Sequence, residues 1–421
     1  MRQLLEGSKA VAEAVARCRP EVVCAYPISP QTHIIEAIGA LVKRGELAPC
    51  EFVNVESEFA ALSLCIGASA AGARAYTATA SQGLLFMIEA VYNAGGLGLP
   101  IVMTLANRAI GAPINIWNDH SDAMAVRDAG WIQLFAETNQ DAVDLHIQAF
   151  RLAERLSVPV MVCMDGFVLT HAMEPVDLPD AAAVDAFLPP YVPRQVLDPG
   201  DPVSIGAMVG PEAFTEVRYL AHLRQLDAVR AITEISEEFA QAFGRKSGGL
   251  VDPYRCDDAE IVVVAMGSVL GTIKDAVDDC RERGERVGVV GLTTFRPFPF
   301  AALAEVLANA RRLVVVERAF SIGFGSVVAT DVVLATGPGG APCSSVIAGL
   351  GGRDITKRAI LEVLEQAAND TLPALTFLDL DTEVVDRELA RMGERRRSGP
   401  SAENILADMR RIGTFWPRED R

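Results

Sequence analysis

A strict alternation of short apolar runs with amphipathic stretches governs the first half of the chain. EVVCAYP, CEFVNVE, RAYTATAS, PIVMTLANRA and VPVMVCMDG are short, rich in β-branched or alternating apolar residues and bounded by turn residues, which is the mark of strands. Around and between them, EGSKAVAEAVARCRP (opening near Ser8), THIIEAIGALVKRGEL, SEFAALSLCIGASAAG, GLLFMIEAVYNAGGLG and DAVDLHIQAFRLAERL have the helical period or composition. A chain that alternates in this way covers each strand with helices, which a mostly parallel, doubly wound sheet achieves. The pattern predicts one such unit over residues 1–185.

From 186 to 255 the alternation breaks. FLPPYVPRQVLDPGDPV reads as a proline-rich linker, and AFTEVRYLAHLRQLDAVRAITEISEEFAQAFG as one long or two shorter helices. A second α/β unit is expected over 256–384, with strands in AEIVVVAMGS, RVGVVGL and RRLVVVERA, helices in SVLGTIKDAVDDCRERG and FPFAALAEVLANA, and a sixth element of unassigned type in CSSVIAGLGG. The Arg- and Glu-rich segment 385–421 is expected to form helices. The fold class is therefore α/β, two doubly wound open-sheet domains joined by a helical linker and followed by a helical tail. A chain of 421 residues is also too long for one ordinary core.

The net charge of −17 excludes general nucleic-acid binding, which needs a basic face. It suits either solubility or docking to a basic patch. Eight cysteines occur, with no CxxC pair and no tight Cys/His cluster, so they read as reduced core residues and no metal site is expected in this chain. The N-terminal MRQLLEGSKAVAEAVARCRPE lacks the apolar core of a leader, and no apolar run is long enough to span a bilayer. A cytoplasmic protein is the expectation.

Four motifs fall at strand ends, where open α/β sheets bind ligands. The first is AYPISPQT, in which two prolines present Ser29 beside Tyr26; a ligand-free proline turn explains it equally well. The second is VESEFAA. Glu56 reads as a helix-capping acid, whereas the apolar run after Glu58 makes Glu58 a partly buried carboxylate that needs a specific partner. The third is TASQG, with Ser81 and Gln82. The fourth, ANRAIGAPINIWNDH, sends Arg108 out of a strand into a polar loop that includes Asn115, a geometry suited to clamping a carboxylate or to a simple ion pair.

Together these motifs resemble the alpha subunit of the pyruvate:ferredoxin oxidoreductase family, the 2-oxoacid:acceptor oxidoreductases. The likeness extends through RDAGWIQLFAE to GLTTFRPFP, VVERA and GLGGRDIT, and so covers nearly the whole chain. It implies that residues 1–185 form the pyrimidine-binding domain of a thiamine-diphosphate enzyme and residues 256–384 a transketolase C-terminal-like domain. In that family a glutamate at this strand–helix junction hydrogen-bonds the pyrimidine N1' of the cofactor and promotes the tautomer that ionises it; the matching residue is Glu58. An apolar setting favours a proton shared with the ring nitrogen. Arg108 matches the arginine that holds the 2-oxoacid carboxylate, and Ser29 the hydroxyl that bonds the substrate. Asn115 lies in a stretch near the active site, and Tyr26, Ser81 and Gln82 line the cofactor side.

Two positions depart from the family pattern. Ser29 replaces the commoner threonine, and Gly111 stands where serine is common in pyruvate-using relatives. Both are expected to enlarge the pocket and lend weight to a bulkier acid such as phenylglyoxylate. Diphosphate-binding domains carry a GDG motif followed by an Asn that holds Mg²⁺, and no GDG occurs here; the nearest string is Met164-Asp165-Gly166-Phe167. The resemblance therefore implies partners: a beta subunit with the diphosphate and Mg²⁺ site and a [4Fe–4S] cluster, a gamma subunit, a ferredoxin-like delta subunit, and in some relatives an NAD-reducing flavoprotein. CoA is the implied co-substrate. The GFGS and GLGG strings read as turns. Competing readings are another two-chain thiamine enzyme, such as a transketolase or a 2-oxoacid dehydrogenase, and a catalytically silent alpha-like subunit. A Rossmann dehydrogenase is opposed by the lack of G-x-G-x-x-G after the first strand.

Overall fold

A computed structural model of the chain describes residues 2–394 and 399–412. The strands, in chain order, are β1 (Arg2–Glu6), β2 (Val22–Ala25), β3 (Glu51–Asn54), β4 (Ala75–Thr79), β5 (Ile101–Asn107), β6 (Ile132–Phe135), β7 (Val160–Asp165) and β8 (Met173–Asp177), then β9 (Val251–Tyr254), β10 (Ile261–Ala265), β11 (Val287–Leu292), β12 (Thr294–Arg296), β13 (Arg312–Glu317), β14 (Cys343–Ile347) and β15 (Leu375–Phe377).

A seven-stranded sheet runs in the order β12-β6-β7-β5-β4-β2-β3, parallel except for β12. The chain moves from β2 outward to β3, then returns to the other side of β2 to form β4. That reversal opens a crevice at the carboxyl ends of β2 and β4, the usual ligand position in open sheets. A six-stranded sheet, β15-β14-β13-β10-β11-β9, repeats the plan. Its first parallel strand, β10, has β11 on one side and β13 on the other, so a second crevice opens between β10 and β13. β1 and β8 form a separate antiparallel ribbon.

The predicted strands and helices of both units form, with informative exceptions. GLLFMIEAVYNAGGLG makes two helices, Ser81–Phe86 and Ile88–Leu97. Met87 leaves the helical region (φ −94°, ψ 12°) with its side chain fully buried, so packing overrides a continuous helix. The run from 213 to 244 holds one 30-residue helix, Phe214–Phe243, ended by a left-handed Gly244. The sixth element, in CSSVIAGLGG, is a strand, Cys343–Ile347. Sequence reading overlooked β1, β6, β8, β9, β12 and β15 and the helices Ser121–Ala125, Ala181–Phe187, Val328–Thr336 and Lys357–Ala368; β12 has three residues, too few to show a period. Helix Glu58–Ala70 is capped by the Ser57 side chain, which accepts from Ala60 N, while Glu56 is exposed. The capping role expected of Glu56 therefore belongs to its neighbour.

β12 follows residue 256 in sequence yet completes the first sheet. One apolar cluster accordingly runs from Leu84, Met103 and Phe135 through Phe295 to Leu292 and Val264. Of the tail, Thr382–Glu394 and Ser401–Ile412 are helices joined by Arg391 and Asp408 at 2.8 Å; the expectation for 395–398 and 413–421 lies outside the described residues. No helix among the described residues is long and apolar enough to cross a membrane.

Candidate active site

Glu58 is the first residue of its helix and only 8% exposed. Among the described residues its carboxylate has no hydrogen bond or ion pair. Gly83, in the helix Ser81–Phe86 after β4, presses against it: a Cβ on Gly83 would lie 2.8 Å from Glu58 Oε1 and 2.5 Å from Thr79 Oγ1. Only glycine permits that approach. Thr79 Oγ1 is also buried without a partner. A buried carboxylate beside an unsatisfied hydroxyl is costly unless something external bonds to them.

Arg108 follows β5 directly and is 8% exposed. Its Nε donates to the Asn115 carbonyl and its Nη1 to the Ser29 carbonyl, both at 3.0 Å. Nη2 has no hydrogen bond, and the guanidinium has no ion-pair partner, among the described residues. Burial lowers its pKa from the ordinary arginine value, and the nearby Asp122 opposes that shift. An arginine set in place by two carbonyls, with one nitrogen to spare, is arranged for an incoming anion.

Asp122, which sequence reading did not single out, is the fastener of this region. It is fully buried; Oδ2 accepts from Ser81 N and Arg108 N at 3.0 Å, and Oδ1 from Asn107 Nδ2 and Ala123 N at 2.8 Å. Burial pushes its carboxyl up to about 6, against the pull of those donors. Its bond to Ser81 N holds that residue at φ 47°, an unusual conformation for a non-glycine residue and one often found at functional sites. No spacing in the sequence announces this role, because the four donors come from three loops.

The other predicted residues divide by what they touch. Ser29 is exposed and its hydroxyl makes no hydrogen bond among the described residues, while its carbonyl seats Arg108. Tyr26 lies nearby on the same turn, 38% exposed. Ser81 is fully buried, its hydroxyl donating to the Ala109 carbonyl, and the Gln82 amide also stands beside that hydroxyl. Asn115 uses both ends of its amide within the chain, Nδ2 to the Gly351 carbonyl at 3.1 Å and Oδ1 from Trp117 N at 2.7 Å. It thereby docks the Arg108 loop onto the second unit. A Cβ on Gly111 would lie 2.7 Å from Gln82 Nε2. The mobile end of the Gln82 side chain thus lies over the face that a side chain at 111 would occupy. The motifs at 29, 58, 81–83 and 108–115 meet as one chain of contacts around the β2–β4 crevice.

The second crevice is closed. Asp165, at the end of β7, accepts from Ser268 N at 2.9 Å and pairs with Arg318 at 3.0 Å and His120 at 2.7 Å, all buried or nearly so. Burial alone would raise the Asp165 carboxyl, but Arg318 and His120, with the Ser268 hydroxyl, hold it well below the usual carboxylate range. His120 N also donates to the Arg318 carbonyl, and Gly351 N to Asp119 Oδ2. The GLGG string is a tight turn receiving this loop, and GFGS is likewise a turn, with Gly323 and Gly325 at positive φ.

Comparisons with known proteins agree in direction. The family model described as pyruvate flavodoxin/ferredoxin oxidoreductase, thiamine diphosphate-binding, matches residues 13–237, and that of pyruvate:ferredoxin oxidoreductase core domain II matches 259–360. Pyruvate synthase subunit PorA of Methanosarcina barkeri is 47% identical over 391 residues, covering 91% of this chain and 97% of that protein. PorA of Thermotoga maritima is 45% identical (89% and 96% covered), and ketoisovalerate oxidoreductase subunit VorA of Pyrococcus abyssi 39% identical (87% and 93%). Among solved structures, a 2-oxoglutarate:ferredoxin oxidoreductase from Magnetococcus marinus shares the fold with a TM-score of 0.67 at 17% identity, over 87% of this chain and 65% of that one. A split-gene transketolase matches with a TM-score of 0.52 at 13% identity, over 87% and 99%.

Proposed function

The chain belongs to the pyruvate:ferredoxin oxidoreductase family, and from that premise we propose that the β2–β4 crevice is the pyrimidine and 2-oxoacid half of an active site completed by a partner subunit. The protein is the alpha subunit of a thiamine-diphosphate-dependent 2-oxoacid oxidoreductase. The observation that carries the site assignment is the pair of buried, unpaired charges, Glu58 and Arg108, at one topological switch point.

The residues fit the cofactor. Glu58 is a buried acceptor without a protein partner, beside the equally unpartnered Thr79 hydroxyl, which is what a pyrimidine ring nitrogen and its neighbours require. Thiamine diphosphate, when bound, supplies the nucleophilic carbon and accepts the electrons left after CO₂ departs. Glu58 holds the proton at the pyrimidine nitrogen. Arg108 Nη2 takes the substrate carboxylate, oriented by the Ser29 and Asn115 carbonyls. The Ser29 hydroxyl faces the substrate, and Asp122 keeps Arg108 and the Ser81 turn in register. Gln82 and Tyr26 border the cofactor, Ser81 and Asn115 acting through the backbone they brace.

Pyruvate is the first candidate substrate. PorA relatives are named pyruvate synthases, and the Gln82 amide lies over Gly111. A bulkier acid such as phenylglyoxylate is the second reading, supported by the methyl that Ser29 lacks. The diphosphate and Mg²⁺ are held by a beta subunit that also carries a [4Fe–4S] cluster; in support, Asp165 of the nearest GDG-like string is engaged by Arg318 and His120. Gamma and ferredoxin-like delta subunits, or an NAD-reducing flavoprotein, take the electrons, CoA takes the acyl group, and the complex works in the cytoplasm. The unit boundaries proposed are 1–185, 186–255, 256–384 and 385–421.

CoA-dependent viologen reduction by the complex isolated natively with this chain tests the proposal. Reduction faster with pyruvate than with phenylglyoxylate is expected. The reverse preference would favour the second reading, and no reduction with any 2-oxoacid, with thiamine diphosphate present in the complex, would overturn both.

A further inference from the structure

Three potential metal ligands converge on the first unit from segments far apart in sequence. Glu6 ends β1, His33 stands in the first turn of helix Thr32–Lys43, and His171 lies in the turn between β7 and β8. Glu6 Oε1 is 2.6 Å from His33 Nδ1, the two imidazole rings are 4.7 Å apart, and one ligand atom from each residue lies within 4.8 Å of the others. The chain has only five histidines, so the meeting of two beside a carboxylate is not a consequence of composition. His171 is also braced. Its Nδ1 is 2.8 Å from the hydroxyl of Thr170, a fully buried residue whose oxygen also accepts from Phe167 N. With Nδ1 so engaged, Nε2 is the nitrogen left to bind, the arrangement by which an outer partner sets the tautomer of a metal-bound imidazole.

We propose that Glu6, His33 and His171 form a binding site for a divalent transition cation of the zinc class. Two imidazoles and one carboxylate select such a cation over magnesium or calcium, which prefer all-oxygen sets. Bonds of about 2.0–2.2 Å in a tetrahedral site require ligand atoms roughly 3.4 Å apart. Rotation of the exposed His33 ring and of the Glu6 carboxylate closes the present cluster to that spacing. Three protein ligands leave a fourth position for water. Burial, with the neighbouring His33, lowers the His171 pKa from the ordinary imidazole value. Lys9 is the other charged group facing the cluster, with Nζ 3.8 Å from Glu6 Oε2; it is 64% exposed and free to swing away.

The position gives the site a consequence. His33 follows the Ser29–Pro30 turn by one helical turn, and the loop carrying His171 rests on that turn, since a Cβ on Gly166 would be 2.6 Å from Pro30 Cγ. A bound cation would tie β1, the helix behind Ser29 and the β7–β8 loop together, and so stiffen the wall from which Ser29 projects. Sequence spacing could not reveal the site, because Glu6 and His33 are 27 residues apart and His171 lies in a different loop.

The test uses the full-length chain, stripped by chelator and titrated with Zn²⁺ alone, read by bound metal per chain and by melting temperature. Wild type is expected to take up one equivalent more than His33→Gln or His171→Gln and to melt higher with Zn²⁺ only when both histidines are present. Circular dichroism of the metal-free variants should match wild type; Glu6→Gln serves as the second variant if either histidine change unfolds the chain. Equal uptake and equal thermal shift in wild type and variants, as from cations on surface thiols, would overturn the proposal, as would no uptake by wild type.

Discussion

The two sheets present the same crevice with opposite charge arrangements. Each has a first strand flanked by its second and third, β2 by β3 and β4, β10 by β11 and β13, and each opens at the carboxyl ends of those strands. In the second, every charge is met: Asp165 pairs with Arg318 and His120 and accepts from Ser268. In the first, Glu58 and Arg108 are nearly as buried as Arg318, yet neither forms an ion pair among the described residues. The topology offers a ligand site twice, and the pairing of charges decides where a ligand is needed. The crevice filled by the chain itself is a joint; the one left with unmatched charges is the one we propose as the site.

Breaking this contrast should give different symptoms on its two sides. The largest effect expected is on catalysis: Glu58→Gln should lower turnover by about 10²–10⁴-fold, the range for a lost acid–base group, without lowering the melting temperature. Next, Arg318→Ala strands the buried Asp165 and should cost about 3–5 kcal/mol in a denaturation series, as removal of one partner of a buried pair does. Arg108→Ala strands no carboxylate, so it should leave stability near wild type while raising the KM for the 2-oxoacid by about two orders of magnitude, the usual cost of a desolvated charge contact; an Arg108 variant that unfolds as readily as the Arg318 variant would erase the distinction between the crevices.

A smaller effect should appear with pH. Asp122 is raised to about 6, so between its ordinary 3.8 and that value the folded chain holds a proton that the unfolded chain does not. This group therefore favours the folded state as pH falls through that window and loses that contribution as pH rises through it. Acidification should loosen the Arg108 mounting without unfolding the chain, since the protonated carboxyl gives up acceptor capacity toward its four donors. The expected sign is a KM that climbs as pH drops below about 6. Asp165 is shifted the other way and stays charged throughout that range. The smallest effect sharpens the account of the joint: Asn115→Ala removes one hydrogen bond to Gly351 and should cost about 1 kcal/mol, with only a slight change in KM.

Much of this was legible in sequence because open sheets put ligands at strand ends and strand ends are marked by turn residues. Glu58, Ser29, Gln82 and Arg108 were found that way, and they do gather at one crevice. What stayed hidden depends on partners from several loops. Asp122 sits in a five-residue helix with no period to mark it, and the Asp165–Arg318–His120 cluster joins segments more than a hundred residues apart. The nearness of Gln82 to Gly111 was hidden for the same reason, since it depends on how two segments meet.

The most direct test of the central claim is the rate at which the C2 proton of thiamine diphosphate exchanges with deuterium in the assembled complex, compared between wild type and Glu58→Gln. The account predicts that the cofactor stays bound and that exchange slows by about 10²-fold or more. Exchange at the wild-type rate, with cofactor occupancy unchanged, would show that the unpaired carboxylate of the open crevice is not what activates the cofactor.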